Sequence, residues 1–140
     1  FKAITNRGGK LDKLQAISSG GEMSRFLLAL KVCLTKKDQG ITMIFDEIDR
    51  GIGGSTADAV GRRLSLLSDR SQVIVVTHSP QVAAHGNYQW KVEKSLSDNN
   101  RTISTITELD DQERLNEIAR MLSGQDISVE ALAAAKKLLG

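Results

Sequence analysis

The 140 residues are 40% hydrophobic and 26% charged with a formal net charge of +2, which suits one ordinary core and advertises no dominating basic field. A single cysteine, Cys33, excludes an internal disulfide framework and fits a reducing compartment, where it reads as a small core residue among Leu and Val. No apolar run approaches the roughly 20 residues that a bilayer-crossing helix needs, and no signal peptide is visible, so no membrane partner is expected.

In chain order, Phe1 stands where an initiator methionine is usual, which suggests a fragment of a longer chain. "NRGGKLDK" at 6–13 is a polar, glycine-bearing loop. From 22 to about 37, Met23, Phe26, Leu27, Leu30 and Leu34 recur at helical spacing and predict an amphipathic helix ended by "KDQG". "ITMIF" at 41–45 is a short continuous apolar run, the pattern of a strand covered on both faces. A loop with Gly51, Gly53 and Gly54 leads to a helix over about 55–68, with Val60, Leu64 and Leu67 on one side. "QVIVVTH" at 72–78 reads as a second buried strand, so strand, helix and strand predict a right-handed crossover and a parallel pair.

Pro80 opens a short helix capped by Ser79 and ended by Gly86. Segments 88–94 and 102–108 alternate well enough to pair as a hairpin around "SLSDNN", with Trp90 in a packing role. Two helices close the chain, one striped by Leu115, Ile118, Ala119 and Leu122, the other over about 128–139 after Gly124. The expected fold class is therefore α/β, a mainly parallel sheet flanked by helices, with a C-terminal β-hairpin and helices.

Three places carry chemistry. The first strand ends in Asp46 and Glu47, at the carboxyl edge where open α/β sheets bind ligands. One acid there can hold Mg²⁺ through its water shell while its neighbour polarises a water for attack on phosphorus. An apolar run ending in two acids also arises where a strand meets solvent, so the pair alone leaves both readings open. The second strand ends in Thr77 and His78, whose imidazole could meet a γ-phosphate or simply cap the strand or the next helix. His85 reads as a surface or helix-end residue. In "SSGGEMSR", Ser19 and Glu22 form a capping box, and Gly20 and Gly21 leave the first-turn amides bare for an oxyanion or merely start a helix.

Taken together and in this order, "SSGGE", "ITMIFDE" and "VVTHS" resemble the signature motif, Walker B strand and histidine switch of an ATP-binding-cassette ATPase head. Within that superfamily "SGGEMSRFLLALK", "IFDEIDRGIGG" and "THSPQVAAHG" are similar to the RecN family of bacterial DNA repair proteins, relatives of the SMC proteins. "RTISTITELDDQERLNEIARML" extends the resemblance to the C-terminal region. The resemblance implies an ATPase of double-strand-break repair and recombination, with ATP and Mg²⁺ as cofactors, in the bacterial cytoplasm at the nucleoid. It implies Asp46 supporting Mg²⁺ through water, Glu47 as catalytic base and His78 as γ-phosphate sensor. Ser19, Gly20, Gly21 and Glu22 would act in trans on ATP held by the opposite subunit of a homodimer. Arg50, Gly51, Ile52 and Gly53 would form the D-loop at the dimer seam.

The sequence departs from the family pattern at Ser18, Glu22 and Gly53, where leucine, glutamine and aspartate are usual. No GxxxxGK[ST] phosphate loop occurs in these residues. The family carries that loop N-terminal to the region seen here, so residues 1–140 are expected to be the C-terminal half of a head, partnered by an N-terminal half that bears Walker A. DNA would be a partner of the whole protein, with Lys36, Lys37, Arg62 and Arg63 first of all solvated-face residues. The alternatives are the nucleotide-binding subunit of a membrane transporter and a non-hydrolysing dimerisation module.

Overall fold

The computed structural model describes residues 2–3, 12–13, 25–26, 28–29, 41–96 and 101–140. Strand β1 (Lys2–Ala3) pairs antiparallel with β2 (Asp12–Lys13), so the end of the expected polar loop carries a short strand. Arg25, Phe26, Leu28 and Ala29 are helical, as the spacing over 22–37 predicts. Most of that segment, Cys33, Lys36 and Lys37 included, lies outside the described residues.

Strand β3 (Thr42–Asp46), helix α1 (Gly54–Ser68) and strand β4 (Gln72–Val76) form the central unit. The two strands are parallel, with Ile44 beside Ile74 and Asp46 beside Val76. Val60, Leu64 and Leu67 of α1 are buried together with Ala57 and Ile48, and Met43, Phe45, Val73 and Val75 pack against them. The apolar stripe of α1 and one face of the strands thus make one core.

The expectation that β3 is covered on both faces is corrected. Its residues alternate, Met43 and Phe45 half-buried and Thr42, Ile44 and Asp46 exposed, with Ile44 69% exposed. A strand places successive side chains on opposite faces, and α1 covers only one of them.

Helix α2 (Pro80–Ala83) begins with Pro80 in its first turn and Ser79 as N-cap, whose Oγ accepts from the Val82 amide at 3.4 Å. Its end is closed by the Gly86 amide donating to the Ala83 carbonyl at 3.1 Å. Arg114 from the next helix donates to the Ala84 carbonyl at 2.9 Å and also to that of Gly86, putting a cation on the negative end of α2.

Strands β5 (Trp90–Leu96) and β6 (Thr102–Glu108) form the expected hairpin, from Trp90 opposite Glu108 to Leu96 opposite Thr102. Trp90 is 57% exposed, which corrects its expected packing role. Helix α3 (Asp111–Ser123) opens with a full capping box between Asp110 and Glu113. It packs on α4 (Val129–Leu139) through Ile118, Ala119, Ala131 and Ala135, with Ala83 of α2 and its C-cap Ala84 against the same cluster.

Candidate functional site

Register alone brings the site together. Asp46 and Val76 end adjacent parallel strands side by side, so the residues that follow, Glu47 and Thr77-His78, leave the sheet at one edge. An open cleft of about 490 Å³ lies there, lined among others by Glu47, Arg50, Ile52, Gly53 and His78. Asp46 is exposed at the strand end but is not among the residues lining the cleft.

The 47–53 turn has three anchors. Ile48 is fully buried in the α1 core and fixes the turn from beneath. The Arg50 amide donates to the Glu47 carbonyl at 3.1 Å and the Ile52 amide to the Asp49 carbonyl at 3.2 Å. From outside, the Arg25 guanidinium donates to the carbonyls of Ile48 at 3.3 Å and Arg50 at 3.0 Å. Gly51 at φ +74° supplies the left-handed step that ends the turn.

Glu47 itself has φ +55°, a conformation that disfavours a long side chain and concentrates at functional positions. Its carboxylate is paired with Arg50 Nη1 at 3.0 Å, both side chains being exposed. Helix α1 then starts behind Gly53 with no side-chain cap and no acid in its first turn, so its positive end adjoins the cleft.

Across the cleft, Asp49 holds the exit of β4. One carboxylate oxygen, Oδ2, accepts from Thr77 Oγ1 at 2.8 Å and from the His78 amide at 3.1 Å. Thr77 Oγ1 in turn accepts from the Ser79 amide at 3.0 Å. His78 is exposed at the cleft, one residue before the cap of α2.

His85, expected at a surface or helix end, does lie just past α2 but is half-buried. Its Nε2 bonds Asp58 Oδ1 at 2.8 Å, and Arg62 pairs with the same carboxylate. The His85 bond, helped by Arg62, holds the Asp58 carboxyl below its ordinary value. Gly61 lies beneath the ring, where any Cβ would strike the imidazole.

Of the residues singled out from sequence, Glu47, His78, Arg50, Ile52 and Gly53 meet at one cleft, with Gly51 in its turn. Ser19, Gly20, Gly21 and Glu22 lie outside the described residues. Sequence reasoning missed Asp49 and Arg25. The third acid of "DEID" and the arginine closing "SSGGEMSR" were visible, but nothing local reveals that either bonds to backbone more than 20 residues away.

Among the described residues no group of three His, Cys, Asp or Glu side chains is arranged to hold a metal. Magnesium keeps several waters and binds through one or two carboxylates plus substrate phosphates, so Asp46, exposed at the strand end, suits a nucleotide-borne Mg²⁺.

The fold is that of a lobe of an SMC-type ATPase head. It superposes on a structure from work on ATP-driven dimerization and DNA-stimulated activation of SMC ATPases, with TM-score 0.55, 20% identity, 85% of this chain and 70% of that one covered. It also superposes on the Smc head domain with coiled coil and joint from Pyrococcus yayanosii, with TM-score 0.57, 21% identity, 83% of this chain and 21% of that one.

Sequence relatives narrow the class. Over 139 residues the chain is 49% identical to DNA repair protein RecN of Rickettsia felis, 51% to that of Xylella fastidiosa strain 9a5c and 45% to that of Haemophilus influenzae. Each match covers 99% of this chain and 25% of the relative, so the chain spans about a quarter of the length of the curated relatives it matches. No family model matches the sequence. The segment is RecN-like in sequence and SMC-head-like in fold.

Proposed function

We propose that residues 1–140 are the C-terminal lobe of a RecN-like ATPase head that acts in DNA double-strand break repair and recombination. The observation that carries this reading is the meeting of Glu47 and His78 at one cleft beyond two paired parallel strands, in a chain about half identical to RecN proteins. An N-terminal half bearing the phosphate loop completes the site, and two heads close on ATP.

Glu47 accepts the proton of a water that attacks the γ-phosphorus in line. His78 donates a hydrogen bond to the γ-phosphate oxygens and senses their presence. Asp46 would hold Mg²⁺, which would neutralise part of the phosphate charge. Ser19, Gly20, Gly21 and Glu22 address the nucleotide of the opposite subunit, and Arg50 to Gly53 sit at the seam. The RecN-like reading places the work of the whole protein in the bacterial cytoplasm at the nucleoid. The relatives found are DNA repair proteins, which favours this reading over a transporter subunit.

In the full-length protein, Glu47→Gln is expected to lower ATP turnover at least about 100-fold while ATP-bound, dimerised heads accumulate. Turnover at the wild-type rate would remove Glu47 from the role of base. The isolated 140-residue segment is expected neither to bind ATP tightly nor to hydrolyse it, and magnesium-dependent turnover by it alone would overturn the split-site reading.

A further inference from the structure

Asp49 has no place in the chemistry above, yet among the described residues its side chain ties the turn after β3 to the loop after β4 at the cleft. Its neighbour Ile48 is fully buried, which leaves the Asp49 backbone little freedom to drift. One oxygen receives both the Thr77 hydroxyl at 2.8 Å and the His78 amide at 3.1 Å, across 28 and 29 residues of chain. Bonds to a carboxylate are the stronger kind, and two converging on one atom restrain direction as well as distance. Thr77 Oγ1 passes the restraint on by accepting from the Ser79 amide, and Ser79 caps α2. A continuous path therefore runs from the 47–50 turn through Asp49, Thr77 and Ser79 to the helix behind His78.

Resting on the functional reading above, we propose that Asp49 is a positioning residue that holds His78 in register with Glu47, so that displacement of the 49–53 turn is transmitted to His78. The alternative role for the same bonds is to join two loops with no consequence for His78. The two roles differ in what they predict for coupling. A positioning residue acts through His78, so its removal has little left to do once the imidazole is gone. A joining residue acts independently of it.

The test uses steady-state ATP turnover of the full-length protein. Asp49→Ala is expected to lower kcat about 10- to 100-fold with KM for ATP changed less than about 2-fold, the signature of a misplaced group whose loss leaves ground-state binding intact. The double variant of Asp49→Ala and His78→Ala is expected to be no slower than His78→Ala alone. Thr77→Val, nearly isosteric but without the hydroxyl, is expected to lower kcat about 3- to 10-fold, and Thr77→Ser to restore it. Wild-type kcat in Asp49→Ala, losses that multiply in the double variant, or Thr77→Ser as slow as Thr77→Val would each overturn the inference. A slow His78→Ala beside a fast Asp49→Ala would overturn this inference alone. Wild-type turnover in His78→Ala would overturn the role of His78 and this inference with it.

Discussion

Among the described residues the two longer strand pairs end in opposite situations, the mainly apolar β3–β4 (TMIFD, QVIVV) half-covered and the mainly polar β5–β6 (WKVEKSL, TISTITE) open. In β3–β4 the connection is a helix, α1, which must return over the sheet and so buries Met43, Phe45, Val73 and Val75 on one face. In β5–β6 the strands run antiparallel, and of their residues only Lys91 is even half-buried. Val92 faces Ile106 on a surface left open, Ile106 being 65% exposed. Hydrogen bonding along a strand does not decide burial; in β3–β4 an apolar face meets the helix that crosses it. The connection also places the chemistry, because a helical crossover leaves both carboxyl ends at one edge whereas a hairpin sends them to opposite ends.

Substitutions can break that contrast. Leu64→Ala in α1, which empties part of the core beneath the sheet, is expected to cost about 2–4 kcal/mol in urea unfolding. Gly61→Ala is expected to cost about 1–2 kcal/mol, since the new methyl must push the His85 ring and α2 away. Equal stability of that variant would show that α2 shifts freely on α1. Ile106→Ala in the hairpin is expected to cost less than about 0.5 kcal/mol, and a loss as large as that of Leu64→Ala would mean the ribbon's open face is covered in the folded protein.

The mildest effect concerns how the hairpin joins α3. Arg120 grips both oxygens of Glu117, at 2.6 and 2.9 Å, and Lys91 of β5 lies 3.8 Å from the same carboxylate. The Arg120 bond, with Lys91 assisting, holds the Glu117 carboxyl below its usual 4.5. A depressed carboxyl contributes stability that is present above about pH 4.5 and is lost as pH falls through its lower folded value. The stability advantage of the wild type over Glu117→Gln is therefore expected at neutral pH and to fade in acid, read from melting temperatures across that range. An advantage that grows in acid would contradict the pairing.

Much of this was legible along the chain. Helical spacing found α1 and α4 within a residue or two and the stripe of α3, Pro80 after Ser79 marked the start of α2, and alternation around a polar turn found the hairpin. Asp46, Glu47 and His78 were placed at the ends of β3 and β4 because strand ends are local features of the apolar pattern. Coverage of a strand was not legible: "ITMIF" reads as buried on both sides, while Ile44 faces outward here. Trp90 failed for the same reason, since its size says it gains from burial but not whether anything lies above it.

By itself the sequence determined the order of elements, the parallel pairing of β3 with β4 and hence the edge at which Glu47 and His78 appear. These follow from periodicities of two and 3.6 and from turn residues, all set within a few positions. Only the tertiary structure decided that Glu47 adopts a left-handed backbone beside Arg50, that His85 seats on Gly61 against Asp58, and that Asp49 reaches Thr77 and His78. Each of these joins partners whose relation depends on how two elements come to rest against each other, a relation that no spacing along the chain encodes.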